Sequence, residues 1–409
     1  MFYYCIRILA RCSLLFFFRR RITCGFPLGE LSGPAIIASN HPNSMMDAIV
    51  IGCTCKRPVH FTIRSDMFNN PLFRWLLSYL NGIPVYRISE EKEKLKKNFD
   101  SIERCRQILT QGGIIIIFSE GVTLHDWNLK SLKSGTAKIV QYALQDEYLR
   151  ESLQVVPVGL TYSDYQHPAK TIIIQGGEVF YPGRLEYNKP PGAWKQQFNA
   201  LLFQKLQPIV PVMMPVSKDA QNVWQALVTN ITTGDNRCSR IKSLHEQGRV
   251  LSDPNAEIPV FHQIKYHYLP LHSLEYRWSY FFSIVLCIPA LPGLILNSPF
   301  YFPTRIWVRN KTKDTIFYDA LLFGVFVILY PVYILLLSLW MYKITPVPFW
   351  AWILLIPFTG WCATQLWVHC LKIRNNGSLH SKERKWMREA LAGVGLNNKK
   401  RQDVGSPSR

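Results

Sequence analysis

Runs of apolar, branched residues alternate with longer amphipathic stretches between residues 34 and 180. Four of these runs are bounded by glycine, proline or charged residues, at 59–63, 113–118, 155–160 and 171–175. Short apolar runs of this kind predict buried strands, and the stretches between them predict helices. The pattern therefore predicts an α/β sheet.

Helical patterns lie between and after these predicted strands. Residues 89–109 form the clearest of them, because glutamates at the start precede a group of lysines, an order that suits the helix dipole. Residues 193–206 predict another helix. Residues 232–253 predict a surface helix and loop, and residues 254–259 predict a turn.

The N-terminal 18 residues are apolar and aromatic, and the basic run Arg19-Arg20-Arg21 follows them. A cleavable signal peptide carries its charge before its apolar part, which is the reverse of this order. The pattern predicts a helix that lies in or dips into the bilayer surface, with a short span as the alternative.

Three long apolar stretches follow at 279–302, 316–342 and 347–371. The first contains Pro289, Pro292 and Pro299, which remove helix hydrogen bonds that lipid does not replace, so it predicts a re-entrant hairpin. The other two predict true spans. Basic residues at 305–313 and after Lys372 then lie on one side, which the positive-inside rule makes cytoplasmic.

The formal net charge is +20, from 47 Lys and Arg against 27 Asp and Glu. Beside such apolar segments, this excess favours anionic lipid as a partner. Nucleic acid is disfavoured, since the chain lacks a zinc-finger pattern, a basic zipper and an RNP-type aromatic motif. The ten cysteines show no metal-binding spacing, so no metal site is predicted.

The heptapeptide HPNSMMD, residues 41–47, joins an imidazole to a carboxylate just after the apolar run 35–38. Histidine suits proton transfer near neutral pH, and a carboxylate on its other nitrogen fixes the tautomer and stabilises the imidazolium. His41 and Asp47 are therefore candidates for a general base and its orienting partner.

Three further motifs place candidate residues at strand ends. GIPVYR, residues 82–87, ends in Arg87, whose guanidinium suits phosphate. IIIIFSEG, residues 114–121, brings Glu120 and Gly121 to a strand exit, where Glu120 either holds a substrate hydroxyl or organises the loop. VVPVG, residues 155–159, contains Pro157, which favours an edge or irregular strand.

These four motifs, in this order, resemble the glycerolipid acyltransferase superfamily over residues 15–215. The spellings HPNSMMD and HDWNLKSLKSG are similar to those of the glycerol-3-phosphate and dihydroxyacetone-phosphate acyltransferase branch. The resemblance implies an acyltransferase domain with a mixed sheet flanked by helices. It also implies that His41 is the general base and Asp47 its orienting partner. By the same resemblance Arg87 binds phosphate, Glu120 and Gly121 contact the acyl acceptor, and Pro157 lies in the acyl pocket. Lys133 matches the lysine of the family's K-x-G motif.

The chain departs from the common family pattern at two places. Five residues separate His41 from Asp47, where four are usual, and this spacing points to the glycerol-3-phosphate branch. Ser119 stands where proline is usual, and no Thr-Arg pair follows Gly121. Arg87, with Lys130 or Lys133, is therefore expected to carry more of the phosphate binding.

The resemblance implies transfer of an acyl group from an acyl thioester, on coenzyme A or acyl carrier protein, to glycerol 3-phosphate or dihydroxyacetone phosphate, without a cofactor. Lysophosphatidate is the alternative acceptor, and a non-enzymatic membrane scaffold is the alternative of another class. We expect a membrane-associated helix at 1–22, the acyltransferase domain at 23–215, a helical extension at 216–275, a membrane region at 276–372 and a basic tail at 373–409. We expect an integral membrane protein with its catalytic domain on the cytoplasmic face.

Overall fold

The computed structural model describes residues 2–86, 92–166, 170–185, 190–214, 237–252, 273–313 and 315–377, and single residues between 221 and 228. The chain divides into two compact units. The larger comprises Met1–Leu269 and Asn297–Leu354, and the smaller comprises Pro270–Leu296 and Leu355–Arg409.

One seven-stranded sheet lies in the larger unit, in the order β1-β7-β6-β2-β5-β3-β4. The strands are β1 Phe18–Gly25, β2 Ala35–Ser39, β3 Val59–Arg64, β4 Gly82–Val85, β5 Ile114–Phe118, β6 Gln154–Tyr162 and β7 Lys170–Gly176. Neighbours pair parallel except β6 and β7, which pair antiparallel. The sheet is therefore mixed, and the four apolar runs correspond to β3, β5, β6 and β7.

Helices precede, connect and follow these strands. Their bounds are α1 Phe2–Phe17, α2 Met45–Thr54, α3 Pro71–Tyr79, α4 Lys92–Thr110, α5 Ser134–Ala143, α6 Glu147–Ser152, α7 Pro191–Leu206, α8 Arg237–Leu251, α9 Ser273–Thr312, α10 Tyr318–Ile344 and α11 Phe349–Gly377. The predicted helices at 89–109 and 193–206 correspond to α4 and α7, and α8 lies within 232–253.

Both faces of the sheet are covered, because successive side chains of a strand point to opposite sides. In β2, Ile37 packs into an apolar cluster that also takes side chains from α1, α2, α8 and α10. Its neighbour Ile36 packs into a second cluster with side chains from α4, α5, α6 and α7. This burial on both faces explains why the central strands are continuous apolar runs rather than alternating ones.

The basic run at the N-terminus belongs to the sheet. Residues Arg19, Arg20 and Arg21 lie in β1, an edge strand that pairs only with β7. Edge strands commonly carry charge, which discourages pairing with other chains. A domain boundary between residues 22 and 23 would therefore cut this strand, and the sheet begins at Phe18.

Two arginines of α1 bind the end of α2. Arg7 donates to the carbonyl oxygens of Cys55 and Lys56, and Arg11 donates to those of Cys53 and Cys55 at 3.0 and 3.1 Å. Carbonyl groups in the last turn of a helix lack partners within the helix, and cations are favoured there. The charges of α1 therefore face protein and fix α2, the helix that carries Asp47.

The sequence predicted an edge or irregular strand at Pro157, and the edge alternative was wrong, because β6 is an interior strand between β7 and β2. Proline fits there because the β6–β7 pairing begins at Val158, one residue beyond it. On that side Pro157 contributes only its carbonyl oxygen, which accepts from the N–H of Gly177 at 2.8 Å.

The prediction of a re-entrant hairpin at 279–302 was also wrong. Helix α9 runs continuously through its prolines, and α9, α10 and α11 are each long and apolar enough to cross a membrane. A neighbouring helix supports α9 closely in the smaller unit, where a Cβ at Gly293 would lie 2.0 Å from the carbonyl oxygen of Thr359. Packing of this kind allows proline within membrane helices.

Several sequence predictions fall outside the described residues. They concern the start of the helix at 89–109, the turn at 254–259, most of the extension at 216–275 and the tail after residue 377.

Candidate active site

The candidate residues meet at one edge of the sheet. Strands β2 and β5 are parallel neighbours, with Ser39 paired to Phe118 at their carboxyl ends. His41 and Glu120 each lie two residues beyond those ends, so the topology places them side by side. The carboxyl edge of parallel strands is where α/β folds usually bind ligands.

His41 and Asp47 are in direct contact despite the five-residue spacing. Nδ1 of His41 lies 2.9 Å from Oδ2 of Asp47. A carboxylate accepts, so Nδ1 carries the proton and the lone pair of Nε2 is available to a substrate. The His41 ring stacks on Phe118 with centroids 3.9 Å apart, and its side chain remains 18% exposed, so it is held in place and still reachable.

Asp47 is fully buried and accepts three hydrogen bonds. Besides His41, the N–H of Asn43 donates to Oδ2 at 2.8 Å and the hydroxyl of Tyr162 donates to Oδ1 at 2.7 Å. Burial, and next the Asp47 charge, raise the pKa of Tyr162 well above its ordinary value, so the hydroxyl keeps its proton. Such bonds offset the cost of burying a carboxylate.

A strained turn accommodates the additional residue between His41 and Asp47. Asp47 is the third residue of α2, and Ser44 immediately precedes that helix with φ +49° and ψ −138°. Residues other than glycine seldom adopt positive φ. This single conformation turns the chain so that the carboxylate in the first turn of α2 points back at His41.

Glu120 organises the loop around His41. Its carboxylate is 1% exposed and accepts from the backbone N–H of His41 at 3.1 Å and from that of Lys130 at 3.0 Å. Burial raises the pKa of this carboxyl, while the N–H and the charge of Lys130 oppose the rise. Of the two roles that the sequence left open, the geometry supports loop organisation.

Gly121 and two lysines complete the loop. Gly121 has φ +65°, and a Cβ there would lie 3.0 Å from Cγ of Lys133. The ammonium of Lys130 lies 3.1 Å from Asp126 and 3.7 Å from Glu120, so its charge is largely matched. Lys133 is exposed just before α5. Its stem passes Gly121, so Lys133 is the better placed of the two lysines to meet an anion.

The remaining two sequence candidates are less informative. Pro157 is buried in β6 opposite Ala38 of β2, one residue before the pairing of these two strands ends. Arg87 follows β4 but lies outside the described residues, so its phosphate role stays a prediction.

Sequence reasoning missed three residues that hold the site. Asn43 and Tyr162 donate to Asp47, and Asp319 of α10 accepts from the Asn43 side chain at 2.8 Å. One signal was available, because Asp319 is the only charged residue between Ile316 and Tyr342. An acid inside an apolar segment often marks a functional contact.

The arrangement suits removal of a proton from a substrate hydroxyl. His41 has the tautomer, the orienting carboxylate and the partial exposure that a general base requires. Among the described residues, no three His, Cys, Asp or Glu side chains are grouped to hold a metal ion.

The family model described as Acyltransferase matches residues 20–161, which contain His41, Asp47, Glu120 and Pro157. The 1-acyl-sn-glycerol-3-phosphate acyltransferase LPAT1, chloroplastic, of Arabidopsis thaliana is 24% identical over 127 residues, which are 31% of this chain. The chain spans about a third of that relative, 32% of its length. The crystal structure of the 1-acyl-sn-glycerophosphate (LPA) acyltransferase PlsC from Thermotoga maritima aligns with a TM-score of 0.35 and 15% identity, covering 49% of this chain and 77% of that one. The matched segment carries the sequence features of an acyltransferase domain.

Proposed function

We propose that this chain is a membrane-bound O-acyltransferase that acylates a hydroxyl of a phosphorylated glycerol. The observation that carries the proposal is the contact of 2.9 Å between His41 and buried Asp47, at the strand edge within the segment similar to acyltransferases. It forms a base with a fixed tautomer and a free Nε2.

The reaction follows from that geometry. Nε2 of His41 takes the proton of the acceptor hydroxyl, whose oxygen attacks the thioester carbonyl. The C–O bond forms, the C–S bond breaks, and the proton passes from the imidazolium to the departing thiolate. Asp47 stabilises the imidazolium between the two transfers. The acceptor itself is the nucleophile, so the reaction uses no acyl-enzyme and no cofactor.

The proposed acceptor is glycerol 3-phosphate, with dihydroxyacetone phosphate as a close variant, because the five-residue spacing resembles that branch. Lysophosphatidate is the second candidate, and the name of the Arabidopsis relative favours it. The donor is a fatty acyl thioester on coenzyme A or acyl carrier protein. Arg87 and exposed Lys133 are the proposed phosphate ligands, and Pro157 the proposed acyl-pocket residue.

The proposed location is the cytoplasmic face of a membrane. The end of α9 and its connection to α10 are basic, with Arg305, Arg309, Lys311 and Lys313, and basic segments beside membrane spans stay cytoplasmic. Anionic lipid would attract the same charges. The contact of Asp319 with Asn43 supports the same side for the candidate site. Exposed Cys238 on α8 offers a test. A membrane-impermeant maleimide should label Cys238 in cells only after they have been permeabilised. Labelling of Cys238 itself in intact cells, located by peptide mass spectrometry because four other described cysteines are exposed, would contradict this orientation.

A substrate panel tests the activity. Purified full-length protein in lipid is assayed for thioester-dependent acylation of glycerol 3-phosphate, dihydroxyacetone phosphate and lysophosphatidate. His41→Ala should lower kcat by about a hundredfold or more, the usual contribution of a general base. Arg87→Ala should raise the acceptor KM. His60→Gln, in β3, removes a half-buried imidazole elsewhere and serves as the matched control.

The outcomes separate the alternatives. Preference for lysophosphatidate would replace the proposed acceptor and keep the chemistry. Equal turnover by wild type and His41→Ala would remove the enzyme hypothesis and leave a membrane scaffold. An unchanged acceptor KM in Arg87→Ala would remove the phosphate role of Arg87.

A further inference from the structure

The first turn of α10 contacts the turn that carries the candidate base. Oδ2 of Asp319 accepts from Nδ2 of Asn43 at 2.8 Å, and it also pairs with the ammonium of Lys170 at the start of β7. All three residues are at most 3% exposed. Lys170 also donates to the carbonyl oxygen of Tyr165 at 2.9 Å.

A buried carboxylate at the start of an apolar helix, such as that of Asp319, costs folding free energy unless its contacts stabilise it. A buried carboxylate needs a charge partner and hydrogen bonds. Lys170 supplies the charge, and the start of a helix favours an acid. The ion pair and the helix start both stabilise the Asp319 carboxylate, but neither requires a hydrogen bond to Asn43. That hydrogen bond connects the cluster to the candidate site.

Asn43 connects Asp319 to the base. Its backbone N–H donates to Oδ2 of Asp47, the same oxygen that Nδ1 of His41 contacts. Its side chain is fixed by Asp319. The next residue, Ser44, has a positive φ, a conformation that persists only where the surroundings hold it.

We propose that Asp319 is a positioning residue for the His41–Asp47 pair. By holding Asn43, it fixes the strained turn and keeps Asp47 aimed at His41. Helix α10 is thereby part of the active site as well as a candidate membrane span. This inference rests on the proposed acyl transfer for its kinetic consequence, whereas its geometric consequence at His41 is independent of it.

Two double variants with the same charge test the proposal. Asp319→Leu with Lys170→Met removes the ion pair and the acceptor for Asn43. Asp319→Asn with Lys170→Met also removes the ion pair, but the new amide oxygen still accepts from Asn43. Both pairs are neutral, so a role limited to balancing buried charge predicts the same behaviour in both.

The kinetic readout separates kcat from KM. The leucine pair should lose about tenfold or more in kcat, because the base is no longer held in its productive orientation, with little change in acceptor KM. The asparagine pair should restore kcat to within about threefold of wild type. Equal kcat in the two folded pairs, whether lowered or retained, would overturn the proposal.

Asn43→Ala keeps the inference testable if the leucine pair does not fold. It removes the side-chain bond but retains the backbone N–H that Asp47 needs. The kcat of Asn43→Ala should fall like that of the leucine pair, and combining the changes should add no further loss, as expected for residues acting through one contact. Wild-type kcat in Asn43→Ala would overturn the proposal.

A readout without acyl transfer distinguishes this inference from the proposed function. The rate at which diethyl pyrocarbonate modifies His41 at neutral pH, followed by peptide mass spectrometry, reports how firmly the imidazole is held. The leucine pair should raise this rate, because an imidazole that has lost its aligned carboxylate is held less firmly and becomes more exposed. The asparagine pair should leave the rate unchanged.

The combinations of outcomes are distinct. An inactive wild type that still shows this difference at His41 would remove the proposed function and keep the positioning role. An active wild type in which both pairs leave kcat and the modification rate of His41 unchanged would remove the positioning role alone.

Discussion

Tyr162 donates its hydroxyl to Oδ1 of Asp47 at 2.7 Å, and both side chains are fully buried. His41 contacts the other oxygen of the same carboxylate. Asp47 is thus held from β6 on one side while it holds the imidazole on the other, so the orientation of the base depends on a strand more than a hundred residues away.

Tyr162→Phe should therefore impair catalysis as well as stability. The change leaves Oδ1 of Asp47 without its donor, which should cost about 1–3 kcal/mol of unfolding free energy and about tenfold in kcat. Tyr165→Phe is the matched control, because its buried hydroxyl donates to the carbonyl oxygen of Asp126 instead. It should lose stability but keep kcat. Steady-state kinetics and thermal melting in detergent check both, and parallel kcat losses would contradict the prediction.

Ser44 should respond to substitution according to its backbone conformation. At φ +49° a β-branched side chain clashes with the backbone, so Ser44→Val should lose about 1–3 kcal/mol. Ser44→Gly relieves the strain and should raise stability by up to about 1 kcal/mol. Thermal melting of the two variants decides this, and destabilisation by glycine equal to that by valine would show that the turn is not strained.

Two glycines near the loop should respond oppositely to alanine. Gly121→Ala places a Cβ at positive φ and 3.0 Å from Cγ of Lys133, and should lose about 1–2 kcal/mol. Gly135 lies in α5 with nothing within 4 Å of its Cβ position, so Gly135→Ala should gain up to about 1 kcal/mol. Thermal melting measures both, and a shift of the same sign for the pair would contradict the prediction.

The pH dependence of stability should carry a signature of Glu120. Burial raises its pKa, so the native state keeps this proton to higher pH than the unfolded state does. Its contribution is favourable at low pH and falls as pH rises from the ordinary carboxyl pKa to the raised one. The melting temperature of wild type minus that of Glu120→Gln should therefore decrease with rising pH across that acidic window.

Glu103 provides a control of opposite sign. A hydrogen bond from Arg106 lowers the pKa of Glu103 to about 2. The stabilisation from Glu103 is therefore present above the ordinary carboxyl pKa and is lost as pH falls from that ordinary pKa toward about 2. The melting temperature of wild type minus that of Glu103→Gln should increase with rising pH in this range. Slopes of the same sign for Glu120 and Glu103 would show that burial does not control Glu120.

Local pattern was sufficient for most of the sheet but not for its edge or for the first of the three helices that are long enough to cross a membrane. β5 is a run of isoleucines because it is buried on both faces, so its sequence predicted a strand. β1 is an edge strand that contains three arginines, so its sequence did not resemble a buried strand. The edge alternative at Pro157 and the hairpin at the prolines of α9 were wrong predictions, because neighbouring elements reduce the energetic cost of proline at these positions. A single sequence window contains no information about such neighbours.

The residues of the candidate site also differ in whether a local motif could identify them. His41, Asp47 and Glu120 were identifiable because each lies within a short motif at a strand end. Tyr162 and Asp319 were not, because they reach the site from positions 115 residues from Asp47 and 276 from Asn43. Only the three-dimensional arrangement of the chain brings them together.

The separation of 276 positions between Asn43 and Asp319 also orders events during synthesis. At about 5–20 residues per second, a ribosome takes roughly 14–55 s to progress from one to the other. The strands of the sheet and the HPNSMMD turn are therefore synthesised well before Asp319, the residue that anchors this turn through Asn43. With Asp319 as that anchor, a nascent or truncated chain that lacks α10 holds this turn less firmly, so the candidate base becomes fully aligned only after α10 has been synthesised.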